Sequence, residues 1–106
     1  MKFHKAKKVV IVTEASILDD VIEMMTELGV DGYTVQSATG KGERGVRSGN
    51  SFSGLFKNVR IDTITSEEVA KKIAVEMMER FFKNYAGIVY MLDVEIIRAK
   101  KFHVPE

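Results

Sequence analysis

Residues 58–81, NVRIDTITSEEVAKKIAVEMMERF, change hydrophobic period once. At first Val59, Ile61 and Thr63 alternate with Asn58, Arg60 and Asp62, the period of two that puts one set on a buried sheet face. From Val69 the period lengthens. Val69, Ile73, Met77 and Phe81 recur every four residues, as on a helix lying against a core. Thr65 and Glu68 stand between the two patterns at capping-box spacing. A strand leading straight into a helix is predicted, with Asn84-Tyr85-Ala86-Gly87 breaking the helix.

Working outward, the same two patterns recur on either side. Upstream, the β-branched run Val9-Val10-Ile11-Val12 predicts a strand buried on both faces. Ile17, Leu18, Val21, Ile22, Met25 and Leu28 then follow at helical spacing, with Ser16 and Asp19 as a capping box and Gly29 as the stop. Tyr33 to Ser37 reads as a second strand, and downstream Ile88 to Ile97 as a long last one with Ile88, Tyr90, Leu92 and Val94 on one face. The tail from Lys100 has no readable period. The order βαββαβ closes as an α+β ferredoxin-like sandwich, a four-stranded antiparallel sheet with both helices on one face.

Composition narrows the functional classes. The 106 residues make room for one domain, expected to span residues 1–106. With 45% hydrophobic and 29% charged residues and a net charge of +1, the chain reads as an ordinary globular domain and not as a dedicated nucleic-acid binder. It has no cysteine, which excludes disulfides, thiolate catalysis and cysteine-bound metals. No apolar run approaches the ~18 residues of a membrane span, and no targeting segment is visible.

Between the second and third strands lies a long loop, about residues 39–55, with five glycines from Gly40 to Gly54. Lys41, Arg44 and Arg47 place three cations in it at intervals of three. Glycines expose backbone N–H groups, and lysine and arginine meet phosphate oxygens, arginine in a bidentate fork. Those are the ingredients of an anion site, although a solvated hairpin connection has the same composition. In a ferredoxin-like sheet the start of the last strand lies at the same end as the finish of the second. Gly87 is therefore expected to face this loop, within one subunit or across a subunit boundary.

Gly32-Tyr33-Thr34-Val35, then Gly40-Lys41-Gly42 with Arg44, Val46, Arg47 and Ser48, resembles the approach to the T-loop in PII-like proteins of the SbtB type. Val10-Ile11-Val12-Thr13-Glu14 is similar to their first strand, and Asn84-Tyr85-Ala86-Gly87-Ile88 to the approach to their last. The resemblance runs through roughly nine-tenths of the chain. It implies a homotrimer that binds adenine nucleotides (AMP, ADP, ATP or cyclic AMP) in clefts between subunits, in some members with bicarbonate. Carried over, Lys41, Gly42, Arg44 and Arg47 meet phosphate, Gly87 offers a backbone amide, and the Tyr33–Thr34 strand lines the pocket. It further implies a cytoplasmic signalling protein without catalytic residues. Its partner would be a membrane transporter for inorganic carbon, governed through the T-loop and holding the protein at the inner membrane. The nucleotide is then an effector, and no cofactor is expected.

Two departures bear on this. Nitrogen-regulatory PII proteins carry a loop tyrosine that is uridylylated, and no tyrosine lies between Tyr33 and Tyr85. The tail Phe102-His103-Val104-Pro105-Glu106 lacks the paired-cysteine loop of cyanobacterial SbtB, which puts in doubt the redox control and slow nucleotide hydrolysis associated with that loop. Nitrogen-type control of a transporter or enzyme remains an alternative, as does a metal-binding trimer like CutA, for which antiparallel first and last strands would bring His4 and His103 together. RNA recognition is disfavoured, because the central strands lack the stacking aromatics it needs. A second basic group, Lys5, Lys7, Lys8, Arg98, Lys100 and Lys101, falls at the far end of the same strands.

The two cationic groups make opposite predictions. Arg47→Ala or Lys41→Ala should each weaken nucleotide binding about ten- to a hundredfold, the worth of one charged contact to phosphate. Lys7→Ala should leave it nearly unchanged. Calorimetry on the three variants checks this, and a large loss confined to Lys7→Ala would move the site to the other end of the sheet.

Overall fold

A computed structural model describes residues 1–39, 41–42, 45–46, 57–102 and 104–105, with the backbone alone at 41–42 and 45–46. In chain order they form β1 (His4–Glu14), α1 (Leu18–Glu27), β2 (Thr34–Ala38), β3 (Lys41–Gly42), β4 (Gly45–Val46), β5 (Asn58–Thr65), α2 (Glu67–Glu76) and β6 (Gly87–Ile96). The four longer strands make one antiparallel sheet in the order β2-β5-β1-β6, the predicted ferredoxin-like arrangement. Among the described residues β3 and β4 pair with each other alone, a short hairpin inside the stretch that the sequence presents as loop.

β1 is central, and this accounts for its unbroken apolar run. Val9 and Ile11 face the helices, while Val10 is equally buried on the opposite face. Above that first face, Val21, Met24 and Met25 of α1 and Ala70 and Ile73 of α2 close the core with Val59 and Ile61 of β5. Val89 and Met91 of β6 pack against the same cluster. Their neighbours on the other side of the strand have no such cover: Ile88, Tyr90 and Leu92 are 56%, 41% and 46% exposed. A row of large apolar side chains on one sheet face is an interaction surface in the making.

The helix ends correct two expectations. Ser16 does not cap α1, because Ala15–Ile17 form a 3₁₀ turn that runs directly into the helix, and no side chain caps it. Asp19 and Asp20 in its first turn favour the positive end of the helix dipole instead. Nor does Thr65 cap α2. Thr65 is still paired with Lys7 and buried in the sheet, so the cap falls one residue later on Ser66, whose hydroxyl accepts the Val69 N–H at 3.2 Å. Gly29 ends α1 as expected, at φ +96°, with Gly29 N–H to the Thr26 carbonyl and Val30 N–H to the Met25 carbonyl, both 3.0 Å. α2 continues into a π turn, Met77–Phe81, closed by Phe82 N–H to the Met77 carbonyl at 2.8 Å.

The tail also has structure that its sequence does not announce. Ala99–Phe102 form a 3₁₀ turn, and Ala99 and Val104 bury Ala6 in a second small apolar cluster.

On the sheet face away from the helices, Arg60 holds Asp62 with Nε at 2.8 Å and Nη2 at 3.2 Å, and Lys8 Nζ lies 3.4 Å from the same carboxylate. The Arg60 hydrogen bond holds the Asp62 carboxyl below its ordinary range, against an opposing desolvation effect and with help from Lys8. A depressed pKa contributes stability that is complete above the ordinary aspartate value and is lost as pH falls through the folded value. Asp62→Asn should therefore flatten the acid limb of stability. Melting temperatures from about pH 7 down to about pH 3 check this, and an acid limb as steep as the parent's would refute it.

Candidate functional site

Strand register brings three stems of the chain to one end of the sheet. Ala38 at the finish of β2 pairs with Asn58 at the start of β5, Glu14 pairs with Asn58, and Thr13 pairs with Gly87 at the start of β6. Gly87 and both ends of the glycine-rich loop thus share that end, as the topology predicts. Lys41 and Gly42 leave β2 within a few residues and pair with Val46 and Gly45. Arg44 and Arg47 lie outside the described residues.

Tyr33 and Thr34 are elsewhere. Thr34 opens β2 opposite Asp62, four residues from Ala38, which at ~3.3 Å per residue is about 13 Å from the loop base. The structure does not bring these two residues to Gly87 within one chain. Their position follows the register of β2 on β5, and just before them the Gly32 carbonyl accepts a hydrogen bond from the Thr63 hydroxyl at 2.6 Å. Tyr33 is 43% exposed.

The turn before β6 is the most constrained part of the site. Gly87 is exposed, yet an added Cβ would stand 2.6 Å from the Val12 carbonyl oxygen and 2.5 Å from the Phe82 ring. Glycine is required there because β1 and the end of α2 approach from two sides. Ala86 is held through both its backbone polar groups. The Thr13 hydroxyl donates to the Ala86 carbonyl at 2.8 Å, and the Ala86 N–H donates to a Glu14 carboxylate oxygen at 2.6 Å. Sequence reading treats Thr13 and Glu14 only as the end of a strand. More than 70 residues separate them from Ala86, and only the pairing of β1 with β6 makes them neighbours.

At the opposite end the six-residue basic group divides. Lys7 is paired with Asp93 and lies 3.9 Å from Glu67, and Lys8 is paired with Asp62. Hydrogen bonding to Asp93 raises the Lys7 pKa, and Lys7 lowers that of Asp93. Lys5, Lys7, Glu67, Asp93 and Glu95 line an open depression of about 920 Å³ whose charges are mixed. Arg98, Lys100 and Lys101 surround a smaller one of about 340 Å³ with His4. His103 lies outside the described residues, and among the described residues no three metal-ligating side chains converge.

A chain with this sheet order and this loop position has close counterparts. Residues 6–101 match the family model described as nitrogen regulatory protein P-II. A protein of Thermus thermophilus described as PII-like and signalling, TTHA0516, is 38% identical. The match covers 96% of this chain and 99% of that one, with a TM-score of 0.80. CPII of Thiomonas intermedia K12, a nitrogen regulatory PII-like protein seen bound to ADP, AMP and bicarbonate, is 26% identical over 95% of this chain and 96% of its own, with a TM-score of 0.84. A further structure of CPII, bound to ADP, AMP and acetate, matches at 25% identity over 96% and 98% of the two chains, with a TM-score of 0.79. Matched almost from end to end in sequence and in fold, the chain belongs to the nitrogen regulatory protein P-II family.

Proposed function

We propose that this chain is an effector-sensing PII-like protein of the SbtB type, and that the whole chain works as one domain. Adenine nucleotide enters clefts between the subunits of a homotrimer, and the loop after β2 carries the outcome to a membrane transporter for inorganic carbon. The role is signalling, and the nucleotide is an effector. The observation that carries this reading is the meeting of the loop base with the exposed Gly87 turn at one end of the sheet, in a fold whose relative CPII is bound to ADP and AMP.

In that site the cations Lys41, Arg44 and Arg47 neutralise phosphate, Gly42 lets the backbone approach, and Gly87 presents its amide. Thr34, about 13 Å from its own loop base, and Tyr33 just before it support a cleft between subunits. Residues from the far end of one sheet can meet the loop end of the next chain's. The uncovered row Ile88, Tyr90 and Leu92 supplies the apolar surface for such packing. A bicarbonate ion, which CPII binds alongside nucleotide, suits the planar guanidinium fork of Arg44 or Arg47. Among the described residues no helix is long and apolar enough to cross a membrane. From its likeness to SbtB-type proteins, the proposal puts the protein in the cytoplasm, brought to the inner membrane by its transporter.

A thermal-shift panel of AMP, ADP, ATP and cyclic AMP, each with and without bicarbonate, tests the nucleotide reading, and light scattering tests the assembly. At least one nucleotide at a hundred times its Kd should stabilise the fold by about 2.7 kcal/mol through mass action. The scattering mass should be three times that of the chain. No shift with any nucleotide would overturn the effector reading, and a monomer at micromolar concentration would overturn the trimer.

A further inference from the structure

We propose that Thr13 and Glu14 are positioning residues for the nucleotide site, a clamp from the central strand that aims the Gly87 amide without touching the ligand. The proposal rests on the reading of Gly87 as a backbone donor to nucleotide.

The two side chains come from adjacent residues at the end of β1, so they leave the strand on opposite faces. Both nonetheless end on Ala86, one on its carbonyl and one on its N–H. Those two groups belong to different peptide planes. The Ala86 N–H lies in the plane shared with Tyr85, and the Ala86 carbonyl lies in the plane shared with Gly87. In a trans peptide the carbonyl and the following N–H point in opposite directions. No cis bond occurs among the described residues. When the Thr13 hydroxyl fixes the Ala86 carbonyl, it therefore also fixes the direction of the Gly87 N–H. Glu14 holds the preceding plane, so the conformation of Ala86 is set from both sides.

Glycine makes such a device necessary. Close approach of the Val12 carbonyl and the Phe82 ring excludes every side chain at residue 87, and the residue that remains has the widest choice of backbone conformations. Pairing with Thr13 restrains Gly87 as the first residue of β6. Without a hold on the Ala86 carbonyl, however, the peptide plane that carries the Gly87 N–H would keep freedom that it must lose on meeting a ligand. The clamp removes it beforehand, so binding needs less ordering. Thr13 is almost fully buried, and its hydroxyl is already committed to Ala86.

The turn is common to every adenine nucleotide, whereas the loop cations see a different number of phosphates in each. Thr13→Val, close in shape but without the hydroxyl, and Glu14→Ala should each weaken AMP, ADP and ATP about three- to tenfold, by a similar factor for all three. Thr13→Ser and Glu14→Gln keep the donor and the acceptor oxygen and should restore most of the affinity. Calorimetry on the trimeric protein gives these constants. The ¹⁵N–¹H resonance of Gly87 without nucleotide provides a second measure, single and sharp in the parent, shifted or broadened in Thr13→Val and Glu14→Ala.

Unchanged affinity in Thr13→Val and Glu14→Ala, with the parent binding normally, would overturn the clamp. So would a loss that grows with phosphate number, or a Glu14→Gln as weak as Glu14→Ala, since both mark a charge effect. A lower melting temperature with unaltered affinity and an unaltered Gly87 resonance would reduce the pair to fold support and overturn it equally. Failure of the parent to bind any nucleotide would instead overturn the effector reading, and the Gly87 resonance alone would then decide whether the clamp exists.

Discussion

Antiparallel pairing of β1 with both β5 and β6 is the constraint on which the rest of the molecule depends. Being central, β1 must be apolar on both faces, and Val9, Val10 and Ile11 are fully buried. Being antiparallel to both neighbours, it sends the starts of β5 and β6 to its own finish. The loop before β5 and the turn before β6 are therefore placed side by side by register alone. No local preference of either segment is needed for them to meet.

The same pairing settles which parts of the surface are free to act. One sheet face is closed by two helices whose ends are held by short-range devices, a Ser66 cap on α2 and a glycine-ended α1. The other face is left with an apolar row on β6 and a charged cluster of Lys8, Arg60 and Asp62 on β1 and β5. Two cations share one carboxylate there, so the cluster keeps a net positive charge beside the apolar row.

The basic residues show how far proximity changes a reading. In sequence, Lys7 and Lys8 belong with Lys5, Arg98, Lys100 and Lys101 as one cationic end. In the fold they are absorbed by Asp93, Glu67 and Asp62, Lys5 lines the same mixed-charge depression as Lys7, and only Arg98, Lys100 and Lys101 of the group stand around a separate, smaller one. Charge counted along a chain overstates a patch whenever strand pairing sets carboxylates opposite lysines, as the register Lys7↔Asp93 does here.

Element order, the faces of β5 and β6 and the helix-ending role of Gly29 were legible in the sequence, because period and glycine chemistry act over a few residues. So was the arrival of both ends of the loop at the sheet end that holds Gly87, because few topologies close βαββαβ. Cap positions were not. Ser16 and Thr65 fit the local pattern, but a 3₁₀ turn absorbed one and strand pairing claimed the other. Nor could the sequence show that Thr34 stands about 13 Å from the loop base along β2, since that depends on where the strand begins in its pairing with β5. Thr13, Glu14 and Phe82 around Gly87 belong wholly to the tertiary structure. Their contacts join residues with no shared period or motif, and a hydrogen bond across two strands depends on their register, which no segment determines by itself.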